Sequence, residues 1–321
     1  MNIFTLDDAE RIPKGTAVSV GMFDGVHRGH RQVLNALHTF AKEIGTEPLA
    51  ITFDRHPRYV LAGENNDFFL LNTNAERYRI MEECGIDNLL EIHFTQDTAL
   101  LPACEFARKY LVEMLGIKGL LLGYDNMFGN KSANDFDKIP KLARECGFEI
   151  RSEKSLLCDG IEISSTQIRK ALSRGDIALA NRMLGYNYQI SGTVVHGREI
   201  GRTLHFPTAN IMCTDLHKML PADGVYCVLL TLDNQAFEAI CNIGSQPTFN
   251  SFGRTVEAHI LDFDGYIYGK EITLTFIEKI RDIRKFDSTQ ELANQLNKDA
   301  NVCRDFFRHH NIQNEKQCER F

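Results

Sequence analysis

G-M-F-D-G-V-H-R-G-H, Gly21 to His30, decides how the first half of the chain is read. It follows a short apolar run, Ala17 to Val20, with the composition of a buried strand. Beyond it Val33, Leu34, Leu37, Phe40, Ala41 and Ile44 recur at helical spacing, and Gly45 is a natural stop. The decapeptide is therefore a strand-to-helix joint, where free amides at a helix start accommodate phosphate. Gly25 and Gly29 permit close backbone approach. His27 and His30, three residues apart, can face the same way at the helix start. Imidazoles so placed suit the charge that develops as an α-phosphate is attacked and pyrophosphate leaves, with no covalent intermediate. A turn with two surface histidines, or a pair of metal ligands, also explains H-x-x-H taken alone; the segment offers no obvious third ligand.

The alternation continues outward. Leu49 to Phe53, Leu89 to Phe94, Leu120 to Leu122 and Phe148 to Arg151 read as strands. Helical stretches around Ala75 to Cys84, Cys104 to Leu115 and Ile139 to Cys146 separate them. Strands spaced by such helices predict a doubly wound parallel sheet, whose ligands bind outside the carboxyl ends of the strands. Gly21 to His30 and Gly123 to Gly129 then lie on the functional rim. Near Gly185 the pattern changes to β-rich segments: Gln189 to Val195, Val225 to Leu232, Phe237 to Ile243, Val256 to Leu261 and Glu271 to Glu278. Turn signals at Asp233-Asn234 and Asp264-Gly265 suit a meander or small barrel. A helix from about Thr289 closes the chain, with Leu292, Leu296, Ala300, Cys303 and Phe307 on its apolar side. The reading is two domains, residues 1–186 and 187–321.

Composition bounds what these domains do. The 321 residues are 43% hydrophobic and 25% charged, which excludes a disordered or collagenous chain. A formal charge of −7 argues against a general nucleic-acid binder, though a locally positive cleft can still take an anionic substrate. Nine cysteines, an odd number with no C-x-x-C pair, predict free thiols in a reducing cytoplasm. No apolar stretch approaches the ~20 residues of a membrane span, and the first residues do not read as a signal peptide.

Three further segments carry chemistry. In I-S-S-T-Q-I-R, Ile163 to Arg169, Ser165 or Thr166 can cap a helix running through Ile168 and Leu172. Free amides, hydroxyls and Arg169 there make an anion site, although capping alone also accounts for the residues. Neither a Walker pattern nor G-x-G-x-x-G occurs in this half. The second half holds G-T-V-V-H-G-R-E-I-G-R-T-L-H-F-P-T-A-N, Gly192 to Asn210. Gly192, Gly197 and Gly201 read as a loop whose amides approach phosphates, or as a plain hairpin turn. Thr208 and Asn210 offer neutral oxygens suited to a magnesium shell completed by substrate phosphates. In T-V-E-A-H-I, Thr255 to Ile260, strand alternation puts Glu257 and His259 on one face. Glu257 is either a candidate general base or a solvated carboxylate.

G-V-H-R-G-H and S-S-T-Q-I-R together resemble the H-x-G-H nucleotidyltransferase superfamily. With I-T-F-D-R-H-P (Ile51 to Pro57), G-Y-D-N-M-F-G (Gly123 to Gly129), F-P-T-A-N, V-E-A-H, N-I-G-S-Q-P-T-F (Asn242 to Phe249) and I-R-D-I-R-K-F-D (Ile280 to Asp287), the whole chain resembles the prokaryotic bifunctional riboflavin kinase/FMN adenylyltransferase, or FAD synthetase, family. The resemblance implies an α/β nucleotidyltransferase domain followed by a small riboflavin-kinase-type β-barrel with a C-terminal helix. It implies that riboflavin and ATP give FMN in the second half and that FMN and ATP give FAD and pyrophosphate in the first. His27 and His30 would then polarise ATP phosphates. Gly21, Phe23, Asp24, Gly25, Gly29, Ser164, Ser165, Thr166 and Arg169 would line the nucleotide, with His56 and Asp125 near the nucleotide or flavin. In the kinase half the resemblance assigns ATP to Gly192, Gly197, Gly201, Pro207 and Thr208, and magnesium to Thr208 and Asn210. Glu257 would be the base, and Arg284 and Phe286 a flap over the flavin. Riboflavin, FMN, FAD and ATP are the implied partners, with neither nucleic acid nor membrane. The chain departs from the common family pattern at Met22, Arg55, Asn126, His205 and Ile283. A kinase with a degenerate first half and a non-catalytic flavin-binding regulator are the alternative readings.

Overall fold

Short apolar strands joined through helices bury both faces when they associate in parallel. Six strands do so here: β1 (Asn2–Phe4), β2 (Ala17–Val20), β3 (Pro48–Phe53), β4 (Asn88–Ile92), β5 (Gly119–Leu122) and β6 (Glu149–Ser152). Their order is β1-β4-β3-β2-β5-β6, and every pair is parallel. All four residues of β2 are buried, which is why the run carries no polar alternation. The computed structural model describes residues 1–62, 68–124, 128–129, 136–196, 206–245 and 253–310. Asp125, Gly197 and Gly201 lie outside them.

The chain winds from β2 outward to β3 and β4, then returns to place β5 on the other side of β2. The carboxyl ends of β2 and β5 therefore flank a topological switch point, the place where doubly wound sheets bind ligands. Helix α1 (Arg28–Glu43) leaves that point and buries Val33, Leu34, Leu37, Phe40 and Ala41. The helices α2 (Pro57–Ala62), α3 (Asn74–Glu83), α4 (Gln96–Leu100), α5 (Ala103–Phe106) and α6 (Ile139–Cys146) come after it in order. α3 begins on a capping box, Thr73 with Glu76. The helix read from Cys104 to Leu115 is largely π-helical, over Ala107–Met114. An aromatic chain runs beside it, with Phe106 linked to Phe53, Tyr110 and Phe128, and Phe128 to Phe136. Gly129, from the G-Y-D-N-M-F-G segment, has φ 78° and abuts the Ala103 backbone, so that end of the segment serves packing. A hairpin of β7 (Leu157–Cys158) and β8 (Ile161–Glu162) leads to α7 (Ser165–Arg174) and α8 (Ile177–Leu184).

The chain divides into two compact units, Met1–Gln167 and Ile168–Phe321. The boundary near residue 186 is thus one of pattern, from helix to strand, while most of the α7–α8 pair groups with the strands beyond it. Asn181 donates to the Phe276 carbonyl (2.9 Å) and accepts from the Tyr188 amide (2.8 Å). The second unit holds a closed antiparallel barrel of β9 (Gln189–Val195), β10 (Ala209–Cys213), β11 (Gly224–Leu232), β12 (Gln235–Ser245), β13 (Arg254–Ile260) and β14 (Glu271–Arg281). Its order is β10-β13-β12-β11-β14-β9. Asp233 and Asn234 both have positive φ (48° and 65°), as a two-residue type I′ hairpin between β11 and β12 requires. Helix α9 (Thr289–His310) buries Ala300, Cys303 and Phe307 against Val225, Cys227 and Ile240. It is fastened by Asp299, 1% exposed, which accepts from Nε and Nη2 of Arg281 at 2.7–3.1 Å.

Candidate active sites

The first site is built on the loop between β2 and α1. The Gly21 amide donates to the Ile51 carbonyl (2.9 Å), continuing the β2–β3 pairing into the loop. The backbone then turns sharply, with φ 49° at Phe23, 90° at Gly25 and 31° at Val26. A β-branched residue at such a φ is strained, costing about 1–3 kcal/mol that the surroundings must offset. Those surroundings are visible. The buried Asp24 carboxylate accepts from the Leu71 (2.9 Å) and Asn72 (3.3 Å) amides, and its carbonyl accepts from the Ser165 hydroxyl (2.8 Å). The carboxylate of Asp24 is thus a loop anchor rather than a group held open for a ligand.

What the loop delivers is a pair of imidazoles. His27 is the N-cap of α1, its Nδ1 accepting from the His30 amide at 3.3 Å. In neutral His27 the N–H is consequently on Nε2. The rings of His27 and His30 stack at 3.6 Å with 15° between planes, and Phe23 meets His30 edge-on at 5.4 Å. Nδ1 of His30 is buried without a hydrogen-bond partner among the described residues. An unpaired acceptor is compatible with that surrounding in the Nε2–H tautomer. Burial holds His30 well below the ordinary histidine range, with His27 and the Arg77 guanidinium acting in the same sense. Gly29 leaves room for this geometry: a Cβ there would stand 3.3 Å from the His27 ring, tight enough to press on it. The expectation of two histidines on one side, drawn from their spacing, is met.

Ser164, not Ser165 or Thr166, caps α7: its Oγ accepts from the Gln167 amide at 3.4 Å. Ser165 begins the helix and ties it to the loop through Asp24, while Thr166 is exposed and Arg169 half-buried one turn on. His56, in the I-T-F-D-R-H-P segment, is half-buried, lies 4.3 Å from the Phe68 ring at a tilt of 39° and accepts from the Arg58 amide through Nδ1 at 3.2 Å.

The second site lies on the barrel. Strand β10 takes up the end of the F-P-T-A-N run, and its Asn210 is directly opposite Glu257 of β13. Glu257 is in turn opposite Asn242 of β12, so three polar residues line up across three strands. All are half-buried, whereas Val256, Ala258 and Ile260 alternate to the buried side. Burial pushes the Glu257 carboxyl above its ordinary range. Nδ1 of His259 lies 2.8 Å from the Pro207 carbonyl oxygen; a carbonyl only accepts, so the ring proton is on Nδ1. A cavity of about 400 Å³ opens beside Pro207 and Thr208, lined by Phe263, Tyr266 and Tyr268 among others. Gly192 is not in a loop. It sits in β9, where a Cβ would collide with the Met212 carbonyl, so its lack of a side chain permits strand contact. Arg284 pairs with Glu291 at 3.5 Å and lies 4.7 Å from the Phe286 ring centre.

Residues 9–167 match the FAD synthetase family model and residues 184–307 the riboflavin kinase family model. The bifunctional riboflavin kinase/FMN adenylyltransferase of Haemophilus influenzae is 36% identical over 304 residues, 94% of this chain and 97% of its own length. Its Escherichia coli (strain K12) counterpart is 36% identical over 295 residues, 92% and 93% of the two chains. The chain belongs to the bifunctional riboflavin kinase/FMN adenylyltransferase family. A solved structure described as a macrolide-efflux protein from Streptococcus pneumoniae is also similar, with a TM-score of 0.81 and 30% identity over 95% of this chain and 99% of that one. Among the described residues no helix is long and apolar enough to cross a membrane.

Three residues of this family member carry no local sign of their place. In the adenylyltransferase half, Arg77 is buried against the motif loop. In the kinase half, strand alternation marks His259 only as a neighbour of Glu257, and it is instead an anchor for the F-P-T segment. Asn242 belongs to the N-I-G-S-Q-P-T-F segment, and only the strand register puts it beside Glu257. Alternation along β13 pairs Glu257 with His259, but no local pattern specifies which strand lies next to it.

Proposed function

We propose that this chain makes FAD from riboflavin in two ATP-dependent steps at separate sites, adenylylation within residues 1–186 and phosphorylation within 187–321. Membership of the bifunctional family supports the pair of reactions. The observation that carries the site assignment is the stacked His27–His30 pair at the switch point of the sheet. In the first half an oxygen of the FMN phosphate attacks the α-phosphorus of ATP, and the bond to pyrophosphate breaks. Nε2–H donors of His27 and His30 stabilise charge on the phosphate oxygens as that bond lengthens, and preorganised donors act there without a covalent intermediate. Ser164, Ser165, Thr166 and Arg169 at the start of α7 bind the remaining phosphates, and His56 and Asp125 lie toward the flavin nucleotide.

In the second half a ribityl hydroxyl of riboflavin attacks the γ-phosphorus, its proton passes to the Glu257 carboxylate, and ADP leaves. A carboxyl raised by burial is a stronger base once ionised, which suits this transfer. Asn210, opposite Glu257, places a neutral oxygen beside the base, and Thr208 supplies another at the cavity edge. These donors fit a magnesium ion shared with phosphates, and such an ion, when bound, neutralises phosphate charge. The aromatic-lined cavity suits the adenosine portion of ATP. Arg284 and Phe286 cover the flavin. Eight free cysteines among the described residues support a reducing, cytoplasmic setting.

The deciding experiment incubates purified protein with riboflavin, ATP and magnesium and resolves the flavins over time. FMN is expected first and FAD after it. FMN accumulating with no FAD would establish the kinase with a degenerate first half; flavin bound without ATP consumption would establish the regulator.

A further inference from the structure

α3 carries a charge in a place where packing alone would favour an apolar side chain. Arg77 is 2% exposed. Its Nη1 donates to the Met22 carbonyl (3.0 Å) and its Nη2 to the Phe53 carbonyl (2.8 Å), with Asn74 Oδ1 at 3.1 Å and the Tyr78 hydroxyl at 3.3 Å. Phe53 ends β3, and Met22 stands two residues past the end of β2, where the strained loop begins. One planar fork thus bridges two neighbouring strand ends. Removing a guanidinium from water costs several kcal/mol unless its donors and charge are met. Here Nε has no partner among the described residues, and Asp24, Glu91 and Asp54 offset the charge from nearby. Desolvation still lowers the arginine to about 10. Such a residue is a poor choice for stability and a good one for geometry.

We propose that Arg77 is a positioning residue of the adenylylation site, fixing the loop that aims His27 and His30 by clamping the Met22 and Phe53 carbonyls. This rests on the reading of the imidazole pair as the phosphate-handling groups. The same guanidinium acts on His30 electrostatically. The charged or titratable groups that act on that ring are His27 from its own loop and Arg77 from α3, and both disfavour the imidazolium. Arg77 therefore holds the loop that carries the pair, and adds to the burial and the His27 ring that keep His30 neutral. At 2% exposure the guanidinium is closed off from solvent, so its part is positioning rather than contact.

The test uses Arg77→Met and Arg77→Lys in the full chain. Adenylylation of supplied FMN and phosphorylation of riboflavin are measured separately, and His30 is titrated by NMR with labelled histidine. Arg77→Met is expected to lower the kcat of adenylylation about 100-fold, the order set by a misplacement of about 1 Å. Phosphorylation stays within about twofold, and His30 and the acid limb of adenylylation move to higher pH because a cation has been removed. Arg77→Lys keeps the charge and so keeps the wild-type His30 titration, yet recovers only part of the rate, since an ammonium lacks the planar fork. An unmoved His30 titration together with unchanged adenylylation in Arg77→Met overturns the inference. A moved titration with unchanged adenylylation overturns it as well, and assigns the failure to the imidazole reading. Should Arg77→Met fail to fold, shown by equal loss of both activities, wild-type kcat in Arg77→Lys overturns it.

Discussion

At the scale of single residues, the proposed first site holds an imidazole kept uncharged. His30 has its pKa depressed by burial, so it is a neutral donor at pH 7 rather than a fixed cation. A base favoured neutral in the fold adds stability above its unfolded pKa, and that stability is lost as pH falls through the lower folded value. Glu257 is shifted the opposite way, upward by burial. The acid limb of kcat/KM for riboflavin phosphorylation is accordingly expected above the ordinary glutamate range, and Glu257→Gln should lose the activity at every pH. A pH–rate series on the two proteins checks this. Gly29→Ala makes a second prediction. Its Cβ would stand 3.3 Å from the His27 ring, so one of them must give way. Adenylylation should fall about 10- to 100-fold, as misaligned donors do, with riboflavin phosphorylation unchanged in the same preparation. The imidazoles are legible in the sequence because they lie three apart at a helix start. Arg77 is not, because its partners are 24 and 55 residues away and its own helix is mostly polar.

At the scale of elements, strand-to-helix alternation is readable wherever a run is long enough to show its period. β2, β3 and α1 fall where the apolar pattern puts them, as do the long strands β11, β12 and β14. β1, with three residues, and the two-residue strands of the β7–β8 hairpin have no period to read. β10 is obscured differently: its opening residues, through Asn210, read first as the end of a ligand motif. Asp299 illustrates a different limit. It lies on a surface-like helix between apolar positions, and its burial is decided by Arg281 across the contact. Removing one partner of a buried ion pair costs about 3–5 kcal/mol. Asp299→Asn should therefore lower the melting temperature of the barrel unit and loosen α9, read by hydrogen exchange of residues 289–310.

At the scale of the whole molecule, the imidazole pair and Glu257 belong to different units, so the two proposed activities should separate by mutation. His30→Ala is expected to abolish FAD formation while riboflavin is still converted to FMN; Glu257→Ala should stop FMN formation while supplied FMN is still adenylylated. Flavin chromatography on both variants checks the pair, and equal loss of both steps in a folded variant would contradict it. The barrel's closure carries a consequence of its own. β14 is the strand that pairs with both β11 and β9. During synthesis from the amino end, the parallel sheet has all its strands once Ser152 leaves the ribosome. The other unit, by contrast, shows bare edges on β9 and β11 until residues 271–281 emerge. Unpaired edges of this kind recruit foreign strands. The nascent chain is thus most exposed to misassembly late, in the interval when the parallel sheet has all its strands and the barrel lacks a single stave.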